Sequence, residues 1–139
     1  MKKEFEVLEH TADIGIIAYG ADLKQAFANA AKGMFSLITE LKDVKEAESR
    51  IIELTSPDLE SLLVAWLNEL IYLFDVENIL FKRFEVTSLS DTHLKAKILG
   101  EKAEPSRHEL KLGIKAATYH MLKIEKEGSG IRVQVIFDI

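Results

Sequence analysis

At 139 residues, 47% hydrophobic and 29% charged, the chain has the make-up of one globular domain long enough for a full core. It contains no cysteine, which excludes a disulfide framework and any thiolate metal or redox chemistry. A formal net charge of -5 argues against a protein that grips nucleic acid mainly through phosphate contacts.

The start, Met1-Lys2-Lys3-Glu4, is charged at once and offers no signal-peptide core. Residues 4–20 read as two strands: Phe5 and Val7 alternate with Glu4 and Glu6, and a second run from Ile14 stops at Gly20. Leu23, Ala26, Phe27, Ala30, Ala31, Met34, Phe35 and Ile38 then mark one face of a helix, with Asp22 and Gln25 spaced as a capping box at its start. A charged stretch over 42–50 leads into a strand around Ile51, Ile52 and Leu54.

Ser56-Pro57 predicts the opening of a second helix, a hydroxyl cap followed by proline at the first helical position, with Asp58 and Glu60 favoured at the positive end of the dipole. Leu59, Leu62, Leu63, Trp66, Leu67, Leu70, Leu73 and Phe74 form its apolar face. This run is interrupted by Asn68 and Glu69 and is too short to span a bilayer. A cytoplasmic location without membrane attachment is expected. Strands follow near Leu80 to Leu89 and His93 to Leu99, then a charged loop over 100–112 containing Pro105. The segment from Ile114 to Ile124 fits a short helix or a strand. Gly128-Ser129-Gly130 predicts a hairpin turn into the last strand. The expected class is α+β: one domain over 1–139, with a mixed, mainly antiparallel sheet of about six strands and both amphipathic helices on one face.

Two aspartates break apolar strands: Asp13 in His10-Thr11-Ala12-Asp13-Ile14-Gly15, and Asp138 in the closing Phe137-Asp138-Ile139. Aspartate is a poor strand former, and a carboxylate beside apolar runs needs a cation or N–H partners. If the two strands are neighbours, the carboxylates converge, with the Ile139 α-carboxylate beside them, and an all-oxygen set suits Ca²⁺ or Mg²⁺. The competing reading gives Asp13 an Asx turn before Gly15 and leaves Asp138 a solvated end. Lys115, Thr118, Tyr119 and His120 can line a polar pocket or form an exposed amphipathic segment; His108 has the same two readings, and His10 is either a ligand or bonded to backbone. There is no P-loop, GxGxxG, GxSxG or HExxH, and no activated nucleophile. An enzyme acting alone is not expected.

The HTADIG segment, the Leu63-x-x-Trp66-Leu67-Asn68-Glu69-Leu70 helix, His108, Ile114-Lys115-Ala116-x-Thr118-Tyr119-His120 and the terminal Asp138-Ile139 together resemble archease, over about Glu9 to Ile139. The resemblance implies an accessory protein. Archeases assist the GTP-dependent RNA ligase of tRNA splicing, promoting ligase guanylylation and multiple turnover. A chaperone-like role toward a tRNA cytosine methyltransferase is also attributed to them. It implies a metal pocket at Asp13 and Asp138 with Ile139 as a further donor, and a functional lysine at Lys115. His120 and His108 join Lys115 as partner-contact candidates, and Asp58 is a further candidate ligand. Direct RNA binding is not expected.

Overall fold

In the computed structural model, which describes residues 3–9 and 13–139, the order is β1 (Phe5–Glu9), β2 (Ile14–Gly20), α1 (Leu23–Ile38), β3 (Glu48–Thr55), α2 (Leu59–Glu77), β4 (Ile79–Leu89), β5 (His93–Lys102), β6 (Ala116–Ala117), β7 (Lys123–Glu127) and β8 (Gly130–Asp138). A single 3₁₀ turn at Leu41–Asp43 follows α1. The fold is α+β and every strand pairing is antiparallel. Among the described residues the strands number eight and divide between two sheets. One runs β1-β2-β8-β6 with β7 also on β8; the other runs β3-β5-β4.

Periodicity accounts for both helices. Of the positions expected on the apolar face of α1, all but Leu23 are buried, as are Leu62, Leu63, Trp66, Leu67, Leu70 and Leu73 of α2. The helix α1 packs on β2 and β8 of one sheet and on β4 of the other, so one core serves both; α2 packs on the β3-β5-β4 sheet and on β6. At the junction Phe35 meets Phe81 edge-on at 5.8 Å, and Trp66 meets Phe84 edge-on at 6.4 Å. The Trp66 indole N–H also donates to the Phe27 carbonyl at 3.0 Å, tying the helices together.

The caps refine the sequence reading. Asp22 accepts from the Gln25 N–H at 2.9 Å, and the Gln25 side chain answers by accepting from Ala21 N–H at 2.6 Å. Ser56 does not cap α2; Asp58 does. Its carboxylate accepts from Ser61 N–H at 2.8 Å, and the Ser61 hydroxyl accepts from Asp58 N–H at 3.3 Å. Aspartate three residues before a hydroxyl closes this reciprocal box, so Pro57 falls outside the helix. At the other end Asn78 is left-handed, φ +58°, which lets β4 begin at the next residue. The strand β5 continues through Lys102, three residues into the stretch expected to be loop. Gly128, φ +60°, followed by Ser129 at negative φ makes a two-residue turn of the hairpin-compatible II′ kind between β7 and β8.

Candidate functional site

The last strand pairs with the second, and this long-range pairing builds the site. The β2–β8 ladder ends with Ile14 opposite Phe137, so Asp13 and Asp138 follow side by side one step beyond it. Gly15 makes this close approach feasible, since a β-carbon there would lie 2.4 Å from the Val135 carbonyl oxygen. Asp13 is half-buried and Asp138 exposed. Neither carboxylate has a hydrogen-bond or ion-pair partner among the described residues. His10, Thr11 and Ala12 lie outside the described residues. Among the described residues there is no group of three or more His, Asp or Glu side chains placed to hold a metal.

On the far side of β8, Ala116 and Ala117 pair with Asp138 and Phe137, and Lys115 N–H donates to the Asp138 carbonyl at 2.8 Å. The ambiguous 114–124 segment is therefore the two-residue β6, a turn and the first two residues of β7. Lys115 is exposed, and no side-chain ion pair engages it among the described residues. His120 is exposed on the turn, its N–H donating to the Thr118 hydroxyl at 3.3 Å. Ile139 is partly exposed beyond Asp138.

Asn68 is the positioning residue that sequence reasoning missed, because it reads only as an interruption of the leucine helix. Its amide oxygen accepts from Ala117 N–H at 2.8 Å, and its amide N–H group donates back to the Ala117 carbonyl at 3.4 Å. A side chain of α2 thus takes the place of a neighbouring strand on the free edge of β6. A signal was available: an amide on a helix two residues after a buried Trp usually has a backbone partner to satisfy.

His108 belongs to a different cluster. Its side chain is fully buried. Nδ1 accepts from Glu104 N–H at 2.9 Å, so the proton sits on Nε2, which faces Glu101 Oε2 at 3.0 Å and the Asp43 carbonyl at 3.1 Å. Glu101 also takes Arg107 at 2.5 Å and Lys45 N–H at 2.7 Å. None of these partners comes from the Asp13–Asp138 end. Burial by itself would raise the Glu101 pKa, but Arg107, Lys45 N–H and His108 together outweigh it and hold the carboxyl at about 2, against an ordinary 4.5. A folded-state pKa below the unfolded one stabilises above pH 4.5, and that contribution is lost as pH falls toward 2. Glu101→Gln is therefore expected to lower stability by about 2–3 kcal/mol at pH 7. The gap should close as the pH drops below 4.5, followed by urea unfolding at each pH. A constant gap across that range would rule out the ionised carboxylate as the cause.

Asp58 is accounted for as the α2 cap. A cavity of about 620 Å³ lined by Glu6, Tyr19, Asn29 and Gly130 lies at the opposite end of β2 from Asp13. No helix among the described residues is long and apolar enough to cross a membrane.

The comparisons with known proteins agree over nearly the whole chain. A profile of the Archease protein family (MTH1598/TM1083) matches residues 5–139. The chain is 45% identical over 141 residues to a protein archease of Methanosarcina mazei, covering 99% of this chain and 97% of that one. It is 45% identical to the Pyrococcus abyssi protein archease over 92% of each. The solution structure of Methanobacterium thermoautotrophicum protein 1598 superposes with a TM-score of 0.83 at 40% identity, covering 98% of this chain and 99% of that one. A Thermotoga maritima crystal structure titled an archease, possible chaperone, shares the fold with a TM-score of 0.66 at 22% identity, over 100% and 98% of the chains. With its two-sheet fold and its profile match over nearly all residues, this chain belongs to the archease family.

Proposed function

We propose that this chain is a cytoplasmic accessory protein that activates a GTP-dependent RNA ligase, promoting ligase guanylylation and repeated turnover, and is not itself the catalyst. The observation that carries the reading is the pairing of β2 with β8, which sets Asp13 next to Asp138 with no protein partner for either carboxylate among the described residues. Two unpaired carboxylates at a strand end suit a hard divalent cation, Ca²⁺ or Mg²⁺. Asp13, Asp138 and a main-chain oxygen at Ile139 would hold it. When bound, the cation supplies positive charge toward a phosphate of the ligase's nucleotide. Lys115, fixed by its backbone to Asp138 and exposed, offers a second cationic contact to the same phosphate.

The test follows ligase–GMP formation from labelled GTP with wild-type chain, Asp13→Asn and Asp138→Asn, in Ca²⁺, Mg²⁺ or chelator. Wild-type chain should speed guanylylation, and each substitution should reduce the gain at least tenfold, with loss of Ca²⁺ binding by calorimetry. The reading fails with guanylylation indifferent to the wild-type chain. Protection of a tRNA methyltransferase from aggregation in that same setting would favour the chaperone-like role instead.

A further inference from the structure

Only two residues other than glycine have left-handed backbone among the described residues, Asn78 and Met121. Asn78 has a local reason: it ends α2, and asparagine tolerates this conformation. Met121, φ +53°, has none. It occupies the third position of a turn closed by Leu122 N–H donating to the Tyr119 carbonyl at 3.2 Å, where glycine or asparagine is the relaxed choice.

The surroundings hold the turn in this state. Thr118 donates to the Ile136 carbonyl through both its N–H, at 3.1 Å, and its hydroxyl, at 2.8 Å. Buried Gln134 donates its side-chain N–H to the Met121 carbonyl at 2.9 Å. A strained backbone that its neighbours over-determine is the pattern of a segment kept for function. What the turn displays is apolar: Tyr119 is 59% exposed and Met121 45%, while Ile139, next to Lys115 across the β6–β8 register, is 48% exposed. Within the segment itself the ionised side chains share one sign, with Asp138 across the ladder and Glu125 beyond its end. Between residues 115 and 123 stand Lys115, His120 and Lys123 with no acidic residue, in a chain of net charge -5, and none of the three is ion-paired among the described residues.

We propose that the Tyr119–Met121 turn is a preformed docking element for the ligase, seating Tyr119 and Met121 in an apolar pocket whose rim carries carboxylates that meet Lys115, His120 and Lys123. Aromatic and methionine side chains are the usual anchors of such contacts, and complementary rim charge sets their orientation. The assignment rests on the ligase-activator reading and places its contact surface beside Asp138. The chain's net charge of -5 disfavours an RNA strand as the occupant.

The experiment measures ligase binding, ligase turnover and melting temperature for wild type, Tyr119→Ala and Met121→Gly. Both variants should bind the ligase at least tenfold more weakly. Their melting temperatures should stay within 2 °C of wild type, or rise for Met121→Gly, where glycine relieves the strain. A ligase that wild type activates and both variants bind equally well overturns this assignment alone. A ligase that ignores the wild-type chain overturns the activator reading and this assignment with it. Tight binding of a tRNA half by wild-type chain without ligase, lost in Tyr119→Ala, would assign the turn to RNA instead.

Discussion

Lys115→Ala is expected to reduce activation of the RNA ligase by about ten- to a hundredfold while leaving folding stability within about 0.5 kcal/mol of wild type. The two effects separate because of where the residue's atoms work. Its backbone N–H holds the Asp138 carbonyl, and alanine keeps that bond. Its ammonium group is exposed and has no ion-pair partner among the described residues, so folding gains little from it. A charge-assisted bond to a phosphate would be worth more than any contact it makes within the chain. Lys115→Arg should recover part of the loss, since the charge returns on a broader head group. Thermal melting and single-turnover guanylylation of the same preparations decide the matter. A large drop in melting temperature would make Lys115 structural; unchanged guanylylation would remove it from the contact.

Trp66→Ala should be the most damaging single change to the fold, costing about 3–5 kcal/mol. Trp66 is fully buried, meets Phe84 edge-on, and is the hydrogen-bonded link between α2 and α1. Total stabilities of about 5–15 kcal/mol leave little margin for such a loss. Trp66→Phe is the informative control. It keeps most of the ring volume, and the Phe27 carbonyl stays within α1, where the helix supplies its own N–H. The expected cost is therefore only about 1–2 kcal/mol. Urea unfolding of both variants measures this. Equal losses would mean that the indole hydrogen bond, not the volume, dominates.

The helices were legible in the sequence because a 3.6-residue period is a local property; every expected apolar position from Ala26 to Ile38 and from Leu62 to Leu73 is buried, with Gly33, Val64 and Ile71 buried beside them. The division into two sheets was not legible. It depends on β8 pairing with β2 across more than a hundred residues of chain, which no window of sequence contains. The cap of α2 was misassigned by two residues because Ser56 and Asp58 are both good capping types, and only the reply from Ser61 distinguishes them. Asp13 and Asp138 stood out as carboxylates in apolar strands, and the register sets them side by side. His108 could not be separated from the surface histidines, because the charged loop around it gives no sign of the pocket that Glu101 and Asp43 build. Asn68 and Met121 were missed for opposite reasons. Asn68 satisfies a backbone group 49 positions away, and Met121 sits where composition would place glycine.

The grip of Asn68 on Ala117 settles when the 116–117 backbone loses its freedom. Fixing one residue costs about 1–2 kcal/mol of conformational entropy. With the amide of α2 already in place, that ordering happens once, as the chain folds, rather than at each encounter. A partner approaching this edge meets Lys115 at the end of a backbone already immobilised, and more of the contact energy is left to hold the complex.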